Sequence, residues 1–340
     1  MTTETLTSQS RRSDSSEPVL RVDGLVKHFP LGQSAWRSTP KAVVQAVNGL
    51  SLDLYSAETI GIVGESGCGK STAGRTIMRL LEPTAGTISL SGQDVSRAKG
   101  RTLLEMRRQM QMVFQDPYSS LNPRQTVSQM ITAPLQIHKV GDAASQREQA
   151  AELLRIVGLN PDHINRFPHE FSGGQRQRIG LARALALNPK VIIADEPVSA
   201  LDVSIQAQVI NLFRDLQDQM GLSYLFIAHD LSVVRSISHK VIVMYLGKAM
   251  EESPTDDLFS NPIHPYTRAL LSAAPLPNPT LERTRERIIL TGDLPSPVAL
   301  PSGCVFRTRC WKAQEKCSSE VPQLLEISPG RKVACHFPED

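Results

Sequence analysis

The stretch Gly64–Ser71, GESGCGKS, has the residues and the spacing of a phosphate-binding loop. Its glycines allow the backbone to wrap closely around phosphates, and the helix expected after it would point its positive end at the anion. Lys70 would reach the terminal phosphates, and the Ser71 hydroxyl could bind Mg²⁺. A glycine-rich turn without a ligand would not explain a lysine and a serine at these places. We therefore expect a nucleoside triphosphate and Mg²⁺ to bind to Gly64, Ser66, Gly67, Cys68, Gly69, Lys70, Ser71 and Thr72.

Acidic, imidazole and amide side chains elsewhere in the chain could complete a hydrolytic site. Asp195 ends the apolar run VIIAD and could hold Mg²⁺ through a water molecule, while the adjacent Glu196 could accept a proton from an attacking water. His229 ends another apolar run, YLFIAHD, which would bring it to the same edge of a parallel sheet. Gln115, in VFQDP, is an ordinary surface residue unless the fold places it beside the metal. Each signal is weak alone, but together with the phosphate-binding loop they predict metal-assisted hydrolysis of a nucleotide.

Two adjacent glycines in FSGGQRQR, residues 171–178, stand where a helix should begin. Gly173 and Gly174 would raise the entropic cost of the first helical turn. Taken alone, the stretch could be a flexible loop that precedes a helix. Its explanation therefore has to come from the rest of the chain.

The elements that would position these residues alternate between strands and helices. Short apolar runs bounded by turn formers predict buried parallel strands at residues 59–64, 191–195, 224–230 and 241–247. Apolar residues at helical spacing in 206–220 predict one of the intervening helices. The alternation predicts an α/β fold with a parallel sheet. Strand signals fade from about residue 123 to 170, which suggests an inserted helical subdomain, and prolines become dense after residue 254.

Length and composition bound the domain organisation and exclude several classes of protein. The 340 residues are 40% hydrophobic and 21% charged with a net charge of +3, which lacks the basic bias of nucleic-acid binding. No stretch has the roughly 18 to 20 uninterrupted apolar residues of a spanning helix, and the start lacks the apolar core of a signal peptide, so we expect a cytoplasmic protein. The units that we predict are a disordered Ser/Thr-rich tail at 1–17, a nucleotide-binding domain at 18–254 with its helical subdomain at about 117–182, and a Cys/Pro-rich C-terminal extension at 255–340.

Six motifs, in order, indicate the family that the chain resembles. GESGCGKS, the glutamine of VFQDP, FSGGQRQR, VIIADE, SALD and the histidine of IAHD resemble the motifs of the ATP-binding subunit of an ABC transporter, over roughly residues 19–250. The resemblance implies that two such chains face head to tail and enclose two ATP molecules, so that SGGQ serves the nucleotide of the partner. Ser172 and the amides of Gly173 and Gly174, at a helix start, would form this second anion site.

The resemblance also implies individual roles. Gln115 would sense Mg²⁺ and the attacking water, Glu196 would be the general base, and His229 would contact the γ-phosphate. Phe29 would stack on adenine, although Trp36 lies close by and a core position for Phe29 fits the sequence nearly as well. The nucleotide-binding and communicating residues implied on SGGQ and SALD are Ser172, Gly173, Gly174, Gln175 and Asp202.

Further stretches narrow the resemblance to one branch of the family. DPYSSLNPR after Gln115, NPIHPYTRALLSAAP at 261–275 and the tail SGCVFRTRC are similar to those of oligopeptide and dipeptide importers, a branch that also handles nickel and some sugars. The chain resembles the second of the two unlike ATPase subunits of such importers. It would pair with the other ATPase beneath two membrane-spanning permease chains, at the cytoplasmic face of the inner membrane. An extracytoplasmic binding protein would deliver the solute.

Three other interpretations fit the sequence less well. A soluble ABC ATPase that acts on DNA or ribosomes would usually show tandem domains, coiled-coil insertions or basic tracts, none of which we find. An ABC exporter would normally accompany membrane helices and would have no need of this C-terminal tail. A module that binds ATP without cleaving it would not need both Glu196 and His229.

The five cysteines fall into one isolated residue and one cluster. Cys68, near a helix N-terminus in the phosphate-binding loop, is expected to have a lowered thiol pKa. The other four have the spacing C-x5-C-x6-C-x17-C, which lacks the C-x2-C unit of common zinc sites. Together with the resemblance, this spacing predicts a [4Fe-4S] cluster that stabilises a region remote in sequence from every ATP motif. Zinc, with His336 replacing one thiolate, is the second choice. Disulfides or unligated thiols are less expected. The predicted ligands are Cys304, Cys310, Cys317 and Cys335.

Overall fold

The structure, a computed structural model, describes residues 17–32, 42–116, 120–274 and 287–339. The predicted tail at 1–17 therefore lies outside the described residues except for Glu17, and Trp36 also lies outside them. The strands are β1 (Leu20–Leu31), β2 (Ala42–Leu54), β3 (Thr59–Val63), β4 (Ala85–Leu90), β5 (Gln93–Asp94), β6 (Met110–Val113), β7 (Val191–Asp195), β8 (Ser223–Ile227), β9 (Lys240–Tyr245), β10 (Lys248–Pro254), β11 (Leu325–Ser328) and β12 (Arg331–Val333). The helices are α1 (Lys70–Ile77), α2 (Gly100–Gln109), α3 (Val127–Ile137), α4 (Ala143–Ile156), α5 (Gly173–Leu185), α6 (Val203–Met220), α7 (Leu231–Ile237), α8 (Thr255–Ser260), α9 (Pro265–Ala273) and α10 (Glu315–Ser319).

The larger sheet is mixed and has the strand order β11-β12-β10-β9-β3-β8-β7-β6. Strands β9, β3, β8, β7 and β6 run parallel, and β10, β12 and β11 continue the sheet in antiparallel pairs. Every residue of β3, β7 and β8 is buried, which explains why their sequences are nearly uninterrupted apolar runs. The predicted parallel strands and the α/β fold are confirmed.

The smaller sheet is antiparallel, in the order β2-β1-β4-β5. Its buried residues, among them Leu20, Leu50 and Ile88, share one apolar core with Ile60 of β3 and Ile77 of α1. The phosphate-binding loop connects β3 to α1. Both ends of that loop are therefore anchored in the same core.

Residues 120–185 form the helical part of the domain, between β6 and β7. This part consists of α3, α4 and α5 with two short 3₁₀ turns, and its described residues include no strand. Capping boxes begin its first two helices, since Thr126 pairs with Gln129 before α3 and Asp142 pairs with Ser145 before α4. The predicted helical insertion is confirmed.

The C-terminal region joins the larger sheet. β12 pairs with β10, and β11 pairs with β12. The ring centroid of Tyr245, in β9, lies 4.8 Å from that of Tyr266 in α9 and 5.4 Å from that of Phe306. The region after residue 254 thus shares its core with the sheet, and the domain boundary at 254/255 stays a prediction. No helix in the described ranges is both long and apolar enough to cross a bilayer.

Candidate active site

The phosphate-binding loop holds glycines in conformations that other residues avoid. Gly64 and Gly69 have φ values of +150° and +105°. A Cβ at Gly64 would lie 2.1 Å from the carbonyl oxygen of Met244, and one at Gly69 would lie 2.0 Å from that of Ala46. The backbone therefore approaches its neighbours too closely for a side chain at either position.

Lys70 begins α1 and is almost fully buried. Its Nζ atom donates hydrogen bonds to the carbonyl oxygens of Gly64 and Glu65, at 2.8 and 3.0 Å. The ammonium group is thus held against the loop at the positive end of the helix, where an anion is stabilised. This position is compatible with the predicted contact between Lys70 and the terminal phosphates.

Ser71 and Asp195 meet at the position predicted for Mg²⁺. The Ser71 hydroxyl donates to Oδ1 of Asp195 at 2.6 Å. Oδ2 of Asp195 is buried and accepts no hydrogen bond from the described residues, and Nη2 of Arg75 lies 3.5 Å from it. Burial raises the pKa of Asp195. A divalent cation would favour the ionised carboxylate and would use the unbonded oxygen, so this pair of oxygen donors fits Mg²⁺.

Glu196 is the point on which the other predicted catalytic residues converge. Nε2 of Gln115 donates to Oε2 of Glu196 at 2.8 Å, and Nδ1 of His229 lies 3.2 Å from the same oxygen. Glu196 follows β7 with a left-handed φ of +48°, and its backbone N–H donates to the carbonyl oxygen of Ile227 at 2.9 Å. The carboxylate is therefore oriented from its backbone and from both neighbouring side chains.

An open cavity of about 430 Å³ joins the loop to these groups. It combines the polar residues above with apolar ones from β1 and β2. Phe29 of β1 is half-buried, and Nζ of Lys27 lies 4.8 Å from the centroid of its ring. The lining residues are Phe29, Val44, Ala46, Ser66, Gly67, Gly69, Lys70, Ser71, Thr72, Gln115, Glu196, His229 and Pro297.

The SGGQ residues lie elsewhere, at the start of α5. Oγ of Ser172 accepts from the N–H of Gln175 at 3.3 Å, and Oε1 of Gln175 accepts from the N–H of Ser172 at 3.0 Å. A Cβ at Gly174 would lie 2.4 Å from Cγ2 of Ile205, so α6 packs directly on the second glycine. The described residues that line the cavity do not include the SGGQ residues or Asp202, namely Ser172, Gly173, Gly174, Gln175 and Asp202.

Cys68 differs from the expectation. The residue is 1% exposed, and burial raises the pKa of its thiol, although the charge of Lys70 opposes this shift. The prediction of a lowered thiol pKa was therefore wrong, because desolvation outweighs the nearby ammonium group.

The four C-terminal cysteines line one small cavity together with His264 and His336. All are free thiols, and burial raises the pKa of Cys304, Cys310 and Cys335, that of Cys335 to about 11. Within the described ranges, however, no three His, Cys, Asp or Glu side chains have an arrangement that could hold a metal ion. The structure gathers the predicted ligands without giving them the geometry of a metal centre.

The sequence did not reveal that the C-terminal region contacts the cavity and the phosphate-binding loop. Pro297 lines the nucleotide cavity, and Arg309 pairs with Glu65 of the phosphate-binding loop. Glu65 and Arg309 are 244 positions apart in the chain, and no local pattern marks such a pair.

Two family models match the chain. One is the ABC transporter family, at residues 47–199, and the other is the C-terminal region of oligopeptide/dipeptide transporters, at residues 250–317. The chain is 54% identical to the putative oligopeptide transport ATP-binding protein YkfD of Bacillus subtilis over 321 residues, which are 94% of this chain and 95% of the relative. It is 53% identical to the oligopeptide transport ATP-binding protein AppF of the same organism over 322 residues, 94% of this chain and 98% of the relative.

Solved structures agree with these relatives. The dimeric ATP-binding cassette MJ0796, in a post-hydrolysis state bound to ADP and Pi, is similar with a TM-score of 0.61 and 28% identity, over 69% of this chain and 98% of that one. CbiO1 of Clostridium perfringens, part of the ABC transporter complex cbiONQ, shares the fold with a TM-score of 0.62 and 23% identity, over 72% of this chain and 92% of that one. The resemblance stated from the motifs is confirmed. The chain therefore belongs to the ABC transporter ATPases, in the group whose C-terminal region is that of oligopeptide and dipeptide transporters.

Proposed function

We propose that this chain hydrolyses ATP to power the import of dipeptides or oligopeptides across a membrane. The observation that carries the proposal is the convergence of Gln115 and His229 on Glu196, in one cavity with Lys70 and Ser71. The peptide solute is supported by the names of the relatives and by the C-terminal family match. Nickel or a sugar would be the alternative solute. A non-transport ABC ATPase would leave the match of the C-terminal region unexplained.

We propose a chemical task for each of these groups and for Asp195. Lys70 and the loop amides would neutralise the phosphates, and Ser71 and Asp195 would hold Mg²⁺. Mg²⁺, when bound, supplies positive charge next to the phosphate oxygens that become more negative during hydrolysis. Glu196 would accept the proton of the attacking water, because Gln115 and its neighbours already orient its carboxylate.

Phe29 is the aromatic residue that we propose to stack on adenine. Its half-buried ring lines the same cavity as the loop, next to Val44 and Ala46. An apolar surface beside a phosphate site suits a planar base.

A second ATPase chain would complete the site. The support is that the SGGQ residues and Asp202 stand apart from this chain's own cavity, while the first N–H groups of α5 have no acceptor within the helix. The related cassette MJ0796 is dimeric. We propose an unlike ATPase subunit as the partner, with Ser172, Gly173, Gly174 and Gln175 facing the phosphates that the partner binds.

The remaining partners follow from transport. A peptide importer of the ABC family needs permease chains in the membrane, and we propose two of them, with an extracytoplasmic binding protein that delivers the solute. The described part of this chain includes no helix that could itself cross a bilayer. We therefore propose that it is held at the cytoplasmic face of the inner membrane by its permeases.

Glu196→Gln in the assembled transporter tests the central assignment. The amide keeps the size of the side chain but cannot accept the proton, so ATP turnover should fall by about 10²–10⁴-fold while ATP binding stays. Glu105→Gln is the matched control, because Glu105 is exposed and forms an ion pair with the exposed Arg101, at 3.0 Å. Normal turnover by Glu196→Gln would exclude Glu196 as the general base, and loss of ATP binding would indicate damage to the site as a whole.

We also propose that the four C-terminal cysteines hold a [4Fe-4S] cluster, with zinc as the alternative. The support is that four thiols line one cavity. Since the described side chains do not have the geometry of a metal centre, a cluster would require the four thiols to move closer together. Protein prepared without oxygen should contain iron and acid-labile sulfide, which Cys310→Ser with Cys317→Ser should remove and the control Cys68→Ser should not. Colourless protein with bound zinc would favour the alternative, and metal-free protein would refute both.

A further inference from the structure

The C-terminal region reaches the apolar part of the nucleotide cavity. Pro297 lines the cavity together with Phe29 of β1 and with Val44 and Ala46 of β2. The carbonyl oxygen of Pro297 accepts a hydrogen bond from the N–H of Gln45 at 3.0 Å, which fixes this segment to β2. Among the described lining residues, Pro297 is the only one that follows β10 in the chain.

The same region reaches the phosphate-binding loop through Arg309. Nη1 of Arg309 donates to both carboxylate oxygens of Glu65, at 3.0 and 2.8 Å. The side chains of Arg309 and Glu65 are only 11% and 26% exposed, so water screens the pair weakly. Removal of one partner of such a pair leaves a charge that is poorly solvated.

Tyr266 holds the loop from another direction. Its hydroxyl oxygen accepts from the backbone N–H of Glu65 at 2.9 Å, and its buried ring packs against Tyr245 and Phe306. The carbonyl oxygen of Glu65 in turn accepts from Nζ of Lys70 at 3.0 Å. Residues from outside the nucleotide-binding motifs therefore fix the loop residue that contacts Lys70.

We propose that the C-terminal region is part of the nucleotide site. Arg309 and Tyr266 hold Glu65, and with it the phosphate-binding loop, in the form that accepts phosphate, and Pro297 forms a wall against which the nucleoside packs. The proposal rests on the nucleotide site proposed above. A loop that is fixed in advance binds its anion more tightly, because less conformational entropy is lost on binding.

The two contacts should affect different parts of the ligand. Arg309 and Tyr266 act on the loop, so they should influence every ligand that has a phosphate chain. Pro297 has no N–H to donate, and its carbonyl oxygen is turned towards the N–H of Gln45, so the part of it that we propose to meet the ligand is its apolar ring. Its contribution should therefore depend on the nucleoside.

The experiment measures binding of Mg-ATP and of Mg-tripolyphosphate to the full-length chain by calorimetry. Arg309→Ala should weaken the binding of both ligands by the same factor, about tenfold. Tyr266→Phe should also weaken both equally, since the N–H of Glu65 loses its acceptor while the ring stays. Pro297→Ala should weaken ATP by about threefold to tenfold and leave tripolyphosphate unchanged.

Each variant has a control in the same chain. Arg307→Ala removes a half-buried arginine whose Nε donates to the carbonyl oxygen of Ser302 at 2.9 Å. Tyr224→Phe removes a buried hydroxyl that has no hydrogen-bond partner among the described residues. Pro295→Ala changes the neighbouring proline. All three controls should bind both ligands like the unchanged chain.

Lys70→Ala separates failure of this inference from failure of the site itself. Normal ATP binding by Lys70→Ala would refute the site, whatever the other variants do. If Lys70→Ala abolishes binding while Arg309→Ala and Tyr266→Phe match their controls, the C-terminal region only supports the fold and the proposal is wrong. Weakened tripolyphosphate binding by Pro297→Ala would refute its role as a nucleoside wall. If Arg309→Ala fails to fold, the binding of both ligands by the nearly isosteric Tyr266→Phe, compared with Tyr224→Phe, tests whether the C-terminal region holds the loop.

Discussion

Gly174, the second glycine of SGGQ, offers a quantitative test of how α5 and α6 pack. A Cβ at Gly174 would lie 2.4 Å from Cγ2 of Ile205, whereas a Cβ at Gly180, on the same helix, would meet no described atom within 4 Å. Alanine is favoured over glycine in a helix by about 1 kcal/mol. At Gly174 overpacking should oppose this gain by about 1–3 kcal/mol. We therefore expect Gly180→Ala to raise the free energy of unfolding by about 1 kcal/mol, and Gly174→Ala to leave it unchanged or to lower it by up to about 2 kcal/mol.

Thermal and denaturant unfolding of the full-length variants measures the difference. Gly180 lies in the interior of α5, whereas Gly174 is in its first turn, where alanine gains less over glycine. The difference between the two free energies of unfolding therefore contains the packing cost of about 1–3 kcal/mol and up to about 1 kcal/mol of helix propensity. Gly173→Ala, in the same turn as Gly174, removes most of the propensity difference, and it should be more stable than Gly174→Ala because its Cβ would lie 3.4 Å from Cδ2 of Leu201, an ordinary contact distance. Equal stability of Gly174→Ala and Gly180→Ala would refute the reasoning that α6 requires a glycine beneath Ile205.

Three further predictions concern the nucleotide site. Ser172→Arg should impair ATP-driven dimerisation, because it places bulk and positive charge at the start of α5, while this chain's own loop still binds ATP. Sedimentation measures dimerisation and titration measures ATP binding. Equal loss of both would indicate a folding defect. The Cys68 thiol is buried and its pKa is raised, so a maleimide should label it slowly at neutral pH even without ATP, and rapid labelling of folded protein would contradict this burial. Asp195→Asn should remove the Mg²⁺ dependence of ATP binding, measured by titration with and without the cation, and a retained dependence would place the cation elsewhere.

The parallel strands could be predicted because burial leaves a local signature in the sequence. Every residue of β3 and β7 is buried, so each strand appears as a short apolar run between turn formers. The motif residues follow from the same elements, since Lys70 begins the helix after β3 and Glu196 comes directly after β7. The end of a strand determines where each of these residues lies, and the motif identifies its side chain. Their convergence in one cavity therefore required no long-range information beyond the parallel sheet.

The C-terminal strands left no such signature. β11 has only four residues, and its apolar side chains, Leu325 and Ile327, are 63% and 48% exposed, so no buried face produces an alternating pattern. β12 pairs with β10, and the contact between Lys332 and Glu252 spans 80 positions. The pairing of Arg309 with Glu65 has the same character. Contacts between distant segments that are neither apolar nor periodic become visible only when the fold brings them together.

The presence of glycine at the two positions of SGGQ has a different physical explanation at each position. Gly174 must lack a side chain because Ile205 lies directly on it. Gly173 has room for a Cβ, so packing within this chain does not require a glycine there. Ser172 caps the N–H of Gln175, and the N–H groups of both glycines have no acceptor within the helix. A glycine at position 173 is therefore better explained by the close approach of an anion from outside this chain, as in the site that we propose a second ATPase chain completes.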